Sequence, residues 1–424
     1  MREMKESGIE WIGEIPANWN ITKIKYLTRC YDGKRKPIDS SKRQDGIYPY
    51  WGAGSITDYI DDYIFDEELI LLGEDGAPFF DDYRPVSFLV NERIWVNNHI
   101  HVLKSKENVD SSFLVHFLNS VNYRKYINGS ILNKLTQSNM NNIEVCLPSF
   151  SLQQIIANFL DEKCSEIDSL TSDIQKQIET LQEYKKSVIT EAVTKGLDPN
   201  VEMKDSGVEW ISEIPKQWKI SKIKYLFNSG KGLSITKENL IDEGLPVISY
   251  GQIHSKINNG VKINKQLLRF VSYDYQKANY NCQVKKYDFV FADTSEDYEG
   301  CGNCVYKRDD NILYAGYHTI ILHSKIKRDN RYLAYLFLSD LWRKQIREVV
   351  YGVKVLSITQ KILINASIFL PSESEQKQIA DYLDVKCSEI DSLIEEKQKQ
   401  LENLEQYKKS LIYEYVTGKK EVLE

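Results

Sequence analysis

The 424-residue sequence lacks the hydrophobic segments that membrane and secreted proteins carry. No run approaches the roughly 18 consecutive apolar residues of a membrane-spanning helix. The opening residues, MREMKESGIEW, contain no apolar stretch of the kind found in secretory signals. The seven cysteines are odd in number and widely spaced, in a chain long enough to fold around buried cores. We therefore expect reduced thiols and a cytoplasmic protein without membrane contact.

Motifs of nucleotide-binding and methyl-transferring enzymes are also missing. The sequence has no phosphate-binding loop, no glycine-rich dinucleotide motif after a strand and no Asn/Asp-Pro-Pro-aromatic tetrad of amino-methyltransferases. Cys301 and Cys304 have the spacing of metal ligands, but no second pair follows, so a glycine turn with two thiols is favoured. His99 and His101 lie on one strand face, and two histidines alone rarely bind zinc. We therefore expect no metal site.

Two acidic turns leave a metal-dependent nuclease as an alternative. Glu74-Asp75 and Ser295-Glu296-Asp297 place carboxylates beside glycine-rich turns, and paired carboxylates can hold a catalytic divalent cation. A nuclease would also need a lysine just after a carboxylate pair on a strand, and no lysine has that position. Turn capping is therefore the favoured role of these acids. Metal-dependent DNA cleavage by the purified chain would restore the nuclease hypothesis.

The formal net charge of −6 is unevenly distributed along the chain. Residues 203–370 hold 25 Lys and Arg against 17 Asp and Glu, whereas residues 151–202 and 371–424 are acidic. Residues 1–150 are slightly acidic, with 17 against 21. The overall charge therefore does not exclude a polyanionic partner.

The chain repeats itself. Residues 4–27 and 203–226 are identical at 17 of 24 positions, and we name these segments the heads. A second repeat begins with LPSFSLQQIIANFLDEKCSEIDSL at Leu147 and recurs as LPSESEQKQIADYLDVKCSEIDSL at Leu370, an offset of 223 residues; its two copies are the tails. Between head and tail lies a divergent body, residues 28–146 in the first copy and 227–369 in the second. The repeat predicts a shared frame that carries two different bodies.

The tails predict long helices. They contain no proline or glycine between about residues 150 and 195 or between 373 and 417, and about 40 residues at ~1.5 Å each make a rod of roughly 60 Å. Apolar residues at heptad a and d positions predict one contact stripe on each helix. They are Ile167, Leu170, Ile174, Leu181, Tyr184 and Val188 in the first tail, and Ile390, Leu393, Leu404, Tyr407 and Leu411 in the second. Each stripe needs a partner, and we expect the two helices to pair.

The bodies predict mixed helices and strands, so the expected fold class is α+β. Lys and Arg in loops neutralise phosphates, while Asn, Gln, Thr and His can contact base edges. The candidate DNA-binding residues are Lys34, Arg35, Lys36, Lys42, Arg43, Asn98, His99, Thr136 and Gln137 in the first body, and Lys231, Lys237, Gln252, His318, Thr359 and Gln360 in the second. For each basic run a solvated surface stays open as the alternative, as does a structural role for the Thr-Gln turns.

The repeated segments carry a family likeness. The head sequences EWIGEIPANW (residues 10–19) and EWISEIPKQW (209–218), with LPSESEQKQIADYLD (370–384), closely resemble the specificity subunit of type I restriction–modification systems. Trp95-Val-Asn-Asn-His99, Lys134-Leu-Thr-Gln137 and Ser295-Glu-Asp297 with His318-Thr319 are similar to landmarks of its target-recognition domains. The likeness covers nearly the whole chain, in the family's order.

This resemblance implies a first DNA target-recognition domain (residues 1–150), a first spacer helix (151–199), a second target-recognition domain (200–370) and a second spacer helix (371–424). It implies that each domain reads one half of an asymmetric bipartite site, and that the helices form an antiparallel coiled coil with a pseudo-two-fold axis. Two modification (methyltransferase) subunits would dock on this chain, and restriction subunits would join them. S-adenosylmethionine, ATP and magnesium would bind in those partners, and the chain itself would not be an enzyme.

A different class of protein also fits the repeat. A scaffold whose tandem coiled coil assembles other proteins, without DNA specificity, would show the same helical pattern. Neighbouring genes for a methyltransferase and a helicase-nuclease would favour the specificity subunit over this scaffold.

Overall fold

The structure, a computed structural model, describes residues 2–81, 83–127, 133–350, 352 and 355–422. It forms two compact units. The first unit is Met1–Lys176 with Lys397–Glu424, and the second unit is Gln177–Glu396. Each unit therefore combines a head and a body with parts of both tails. None of the described helices is long and apolar enough to cross a membrane.

In the first copy, short strands and helices precede one long helix. The strands are β1 (Met4–Glu6), β2 (Glu14–Pro16), β3 (Asn20–Lys23), β4 (Thr28–Cys30), β5 (Asp45–Trp51), β6 (Ile56–Ile60), β7 (Phe65–Asp66), β8 (Leu69–Gly73), β9 (Ser87–Val90), β10 (Arg93–Val96), β11 (Ile100–Ser105) and β12 (Glu144–Leu147). The helices are α1 (Ile24–Leu27), α2 (Ser111–Ser120), α3 (Gln137–Asn141) and the long α4 (Phe150–Lys195), with 3-10 turns at Asp32–Lys34, Ser40–Lys42 and Tyr123–Lys125.

The second copy repeats this order. Its strands are β13 (Met203–Val208), β14 (Ile211–Pro215), β15 (Lys219–Lys222), β16 (Phe227–Lys231), β17 (Leu245–Ile248), β18 (Arg269–Val271), β19 (Phe289–Ala292), β20 (Thr294–Ser295), β21 (Cys304–Tyr306), β22 (Tyr314–Ala315), β23 (Thr319–Ser324), β24 (Leu356–Ser357) and β25 (Ser367–Leu370). Its helices are α5 (Ile223–Leu226), α6 (Tyr250–Ile253), α7 (Tyr275–Ala278), α8 (Arg331–Leu338), α9 (Asp340–Arg347), α10 (Gln360–Asn365) and the long α11 (Glu373–Val416), with 3-10 turns at Lys237–Asn239, Lys265–Leu267 and Tyr280–Cys282.

The two bodies share one sheet plan. An antiparallel sheet in the order β4-β11-β8-β9 lies in the first body, and β16-β23-β19-β21 repeats that order in the second. The parallel pair β5-β10 corresponds to β17-β22, and the head–body pair β3-β12 corresponds to β15-β25. Every residue of β8 and of β19 is buried, because apolar runs in a central strand are covered on both faces. The α+β prediction is confirmed.

The heads are held by a buried tryptophan in each copy. Trp19 and Trp218 are 1% and 0% exposed. Nε1 of Trp218 donates a hydrogen bond to Oε1 of Glu375 at 2.9 Å. Leu152 has the equivalent position in the first tail, and Nε1 of Trp19 is buried without a partner among the described residues. The two heads are therefore alike in packing but differ in one buried hydrogen bond.

The long helices pair antiparallel within each unit, as expected. In the first unit, Nζ of Lys408 lies 2.6 Å from Asp168, and in the second unit, Nζ of Lys185 lies 2.6 Å from Asp391. The repeat makes Asp168 equivalent to Asp391, and Lys185 equivalent to Lys408. Each ion pair therefore joins the aspartate position of one tail to the lysine position of the other tail.

Part of the predicted heptad stripe is wrong. Ile167, Val188, Ile390 and Leu411 are buried and Ile174, Leu181 and Leu404 are partly buried, but Leu170, Tyr184, Leu393 and Tyr407 are 53%, 54%, 47% and 56% exposed. Ile178 and Leu401, which the heptad omitted, are buried instead. The contact stripe steps from Ile167 by four residues to Thr171 rather than by three to Leu170. Polar Thr171 and Lys185 lie in the stripe that the structure buries at least in part. Choosing heptad positions by hydrophobicity alone therefore selected the wrong set of residues.

One repeated carboxylate joins each long helix to its body. In the first unit, Asp161 of α4 accepts hydrogen bonds from Nε2 of His116 at 2.7 Å and from the Ser112 hydroxyl at 2.9 Å. Its equivalent in the second unit is Asp384 of α11. That carboxylate accepts from Arg308 at 2.9 Å, from Arg331 at 2.6 Å and from the Tyr335 hydroxyl at 2.7 Å.

Candidate nucleic-acid interface

Each body presents a histidine and a carboxylate at the same edge of its central sheet. In the first body Glu74 and Asp75 follow β8 and His99 precedes β11, and the Glu74 backbone N–H donates to the His99 carbonyl at 3.0 Å. In the second body Asp293 follows β19 and His318 precedes β23, with the same backbone bond at 3.1 Å. The two predicted histidines therefore occupy equivalent, exposed positions.

Arg35, a predicted DNA contact, is held by acceptors within its own body. Its guanidinium donates to Oε2 of Glu74 at 2.5 Å and to the Ile100 carbonyl at 2.9 Å, and only 14% of its side chain is exposed. Binding of a DNA phosphate by this guanidinium would compete with these contacts, and its role toward DNA stays a prediction. The sequence placed Arg35 in a basic run, but its partners lie far along the chain.

The same guanidinium belongs to a buried charge network. Nδ1 of His101 lies 2.6 Å from Asp32, and Nε2 of His101 lies 2.8 Å from the Leu135 carbonyl. Burial would raise the pKa of Asp32, but hydrogen bonds from His101 and from the Val102 backbone, with the nearby Arg35, hold the pKa below its usual value. Asp32, Glu74 and His101 are close enough to be considered as metal ligands. Both nitrogens of His101 already face oxygen atoms and Arg35 occupies Glu74, so the residues fit an ion-pair network better than a metal site.

The other basic residues of the first body divide into two groups. Arg43 is held like Arg35: it donates to Asp58 at 3.2 Å and to the Ile38 carbonyl, and it stacks on the Tyr50 ring at 4.1 Å. Arg43 is therefore also engaged within its body, and its contact with DNA stays a prediction. Lys34, Lys36, Lys42 and Asn98 are exposed, with Lys34 over the Tyr31 ring at 4.0 Å. The exposed lysines form the part of the predicted set that can reach a phosphate.

The two Thr-Gln turns are helix starts. Thr136 and Thr359 accept a hydrogen bond from the backbone of the third following residue and so cap α3 and α10. Nε2 of Gln137 donates to the Cys30 sulfur at 3.0 Å, and Nε2 of Gln360 donates to the Gly230 carbonyl at 3.2 Å. These contacts give the Thr-Gln turn a structural role that explains why both bodies contain it. The sequence left this role open as an alternative to DNA binding.

In the second body, Lys231 and Lys237 are exposed. Gln252 is partly buried, and its side chain accepts from the Ser249 backbone N–H at 3.1 Å at the start of α6. Its oxygen is thus occupied by a helix cap. His318 is exposed and has a left-handed backbone with φ of 53°, a conformation that is uncommon outside glycine and is enriched at functional sites.

A cavity of about 470 Å³ lies beside His254 in the second body. Its lining includes Tyr250, Ser295, Asp297 and Asn303. Nε2 of His254 donates to the Thr294 carbonyl at 2.7 Å, and its Nδ1 accepts from Asn303 at 3.1 Å, so the ring is fixed. Sequence reasoning noticed the acids of this loop as turn residues but not the cavity, because the lining comes from two segments about 40 residues apart in the sequence.

The Cys301–Cys304 turn matches its interpretation as two thiols. Both cysteines are buried and free. Burial raises the pKa of Cys301, and it raises the pKa of Cys304 to about 12, so both thiols are neutral near pH 7.

Sequence reasoning missed the partners of the two exposed histidines. Asp75 contacts Nδ1 of His99, and Oδ1 of Asp293 lies 3.3 Å from Nδ1 of His318. A usable signal was present, since each acid follows a wholly apolar run by no more than two residues. It could not be recognised without knowing that the two apolar runs are equivalent strands.

The chain matches a known family over most of its length. The model of the type I restriction modification DNA specificity domain matches residues 16–180 and again residues 215–403. Each match spans a body with part of its long helix, so this is a protein with two DNA specificity domains in tandem. The chain belongs to the family of type I restriction–modification specificity subunits, which confirms the resemblance in its sequence.

Relatives extend along the whole chain. The specificity subunit of the type I restriction enzyme MjaVIII of Methanocaldococcus jannaschii is 25% identical over 414 residues, which cover 96% of this chain and 93% of the relative. The EcoDI specificity subunit of Escherichia coli is 24% identical over 185 residues, 43% of this chain and 39% of the relative. A solved chain from a study of complex assembly and conformational transition in the type I R-M system has a TM-score of 0.69 at 14% identity, with 95% of this chain and 99% of that chain covered. Its fold is the same.

Proposed function

We propose that this specificity subunit binds double-stranded DNA in the cytoplasm and reads an asymmetric bipartite site, one half with each body. The observation that carries the proposal is a repeated sheet plan with different exposed groups. The first body presents Lys34, Lys36 and Lys42, whereas the second presents Lys231 and Lys237 and also contains an acid-lined cavity. Two bodies that share one sheet plan but differ in their exposed groups would select different half-sites.

The long helices act as the spacer between half-sites. Helices α4 and α11 have 46 and 44 residues, or about 65–70 Å at ~1.5 Å per residue. Neither contains a proline or glycine, which are the usual causes of kinks. The exchanged ion pairs support a fixed antiparallel register, and half-sites read from one face of a duplex would be separated by about one helical turn, ~34–36 Å.

Two modification subunits dock on exposed apolar side chains of these helices. Leu170 and Tyr407 in the first unit, and Leu393 and Tyr184 in the second, are about half exposed and identical between the repeats. Packing of this chain does not explain why the repeat retains them. Exposed apolar residues are typical of interaction sites, and two copies of one patch suit two copies of one partner. Those partners, with restriction subunits, would supply methyl transfer and cleavage and would bind S-adenosylmethionine, ATP and magnesium.

Exchange of one body tests the DNA-reading proposal. Residues 28–146 are replaced by the corresponding body of a relative, and methylated sites are mapped by sequencing the DNA of a host that carries the complete system. We expect one half-site to change while the other half and the spacer length are retained. A change in both halves, or unmethylated DNA with the wild-type chain, would contradict the proposal.

Charge substitutions test the docking patches. We expect Leu170→Asp with Tyr407→Asp to leave one modification subunit per chain, and the addition of Leu393→Asp with Tyr184→Asp to leave none. The mass of the purified complex gives the stoichiometry directly.

The control uses neighbouring exposed serines of the same helices. Ser169→Asp with Ser392→Asp adds one negative charge beside each patch and should retain two modification subunits. Equal loss in the control and in the patch variants would mean that charge, rather than the apolar side chains, disrupts the complex.

A further inference from the structure

Each body places an exposed histidine beside a carboxylate that follows its central strand, although the two pairs differ in detail. Nδ1 of His99 contacts Asp75, and Nδ1 of His318 lies 3.3 Å from Oδ1 of Asp293. In both bodies the histidine backbone is fixed by the bond from the residue that follows the central strand. Oδ1 of Asp293 is buried and accepts no hydrogen bond from a described residue, so the imidazole is the group nearest to it that could compensate its charge.

Stability does not explain why both bodies keep this pair. The side chains of His99 and His318 are 50% and 57% exposed. Ion pairs with exposed members contribute about 0–1 kcal/mol. His318 also adopts its left-handed backbone at an energetic cost, and such strained residues concentrate at functional sites. Both histidines therefore have the exposure of a binding group, and His318 also has the strained backbone of one.

The repetition indicates what the histidines bind. Two bodies that read different half-sites share no base pattern, but both meet the same sugar–phosphate backbone. A group common to both readers therefore fits the part of DNA that does not vary with sequence. We propose that His99 and His318 each bind one backbone phosphate, with Asp75 and Asp293 as positioning residues. This inference rests on the proposed DNA-binding function.

The chemistry of the pair suits an anionic oxygen. The carboxylate beside Nδ1 leaves Nε2 as the ring nitrogen that would donate a hydrogen bond to a phosphate oxygen. In the first body, Nζ of Lys134 lies 3.5 Å from Asp75 and adds positive charge beside the histidine. The lysine also limits the repulsion between the Asp75 carboxylate and the phosphate.

Salt dependence distinguishes a phosphate contact from a base contact. The assembled complex of this chain with its modification subunits is titrated with duplexes that carry the cognate site or a single mismatch, at several salt concentrations. For His99→Ala and for His318→Ala we expect the slope of log K against log salt to become shallower by about one. Affinity should fall by the same factor for cognate and mismatched duplexes.

Lysine substitution and a second histidine provide the controls. His99→Lys and His318→Lys should restore the slope, because a phosphate accepts any cation, whereas a base-reading histidine would not be rescued. His116→Ala removes a histidine that contacts a carboxylate at the helix junction and should leave the slope unchanged. An unchanged slope in the alanine variants, or a loss confined to one base pair, would overturn the inference. Failure of the wild-type complex to prefer its site would instead overturn the proposed function.

Discussion

The carboxylate that joins each long helix to its body should contribute very different amounts of stability in the two units. Asp384 receives charged hydrogen bonds from Arg308 and Arg331 and a further bond from Tyr335, and its side chain is 28% exposed. Charge-assisted bonds contribute about 1.5–3 kcal/mol each, and an asparagine at this position would retain one acceptor oxygen. Allowing for partial exposure, we expect Asp384→Asn to cost about 2–4 kcal/mol. Asp161 is 53% exposed, so Asp161→Asn should cost only about 0–1 kcal/mol.

Hydrogen exchange of the full chain measures the two junctions separately. At 1.4 kcal/mol per tenfold change, the loss in Asp384→Asn corresponds to an acceleration of about 30- to 700-fold in α8, if α8 exchanges by opening away from α11. Helix α2 should accelerate less than about fivefold in Asp161→Asn. Asp381→Asn, which removes one more exposed partner of Arg331, is the control and should change little. Equal effects in the two units, or protected α8 in Asp384→Asn, would refute the reasoning.

Three further predictions concern the same frame. Burial raises the pKa of Asp384, but Arg308, Tyr335 and Arg331 outweigh burial and hold the pKa below its usual value. The stability that the Asp384 carboxylate contributes is therefore present above about pH 4 and lost as the pH falls through the folded-state pKa. Urea denaturation should show a steeper loss of stability with acid in wild type than in Asp384→Asn. Glu375→Leu removes the acceptor of the buried Trp218 N–H and should destabilise the second unit by about 1–3 kcal/mol, whereas Glu375→Gln should retain most of the stability; equal denaturation midpoints would refute this. Seven residues inserted into α4 alone shift its register against α11 and should change the spacer of the methylated site or abolish assembly, and an unchanged site would refute the role of the helices as spacer.

The repeat made the frame predictable. Segments that are nearly identical at one offset must fold alike, so the heads, the long helices and their pairing followed from sequence alone. The contact stripe did not, because a 3.5-residue repeat can continue from Ile167 to Leu170 or to Thr171. Hydrophobicity favours Leu170, while the structure buries the row that contains polar Thr171 and Lys185. Apolar Ile178 and Leu401, left outside the predicted heptad, were the signal that could have corrected it.

Single side chains of the candidate interface were less predictable than the frame. The run from Lys34 to Lys36 is uniformly basic in sequence, yet Arg35 points to Glu74 while its neighbours are exposed. The partner lies 39 residues away and reaches Arg35 only after the sheet has formed. A local pattern therefore indicates that a cation is present, and tertiary contacts decide whether it is free.

The Asp161 and Asp384 junctions also bear on how such chains diversify. A carboxylate accepts from imidazole, hydroxyl, guanidinium or phenol alike, and the two bodies already satisfy it with different donors. A newly acquired body needs only to bring one suitable donor to that place, and the helix that receives it requires no compensating change. Recombination between homologous genes could thus create new DNA specificities in a single event, without an unstable intermediate.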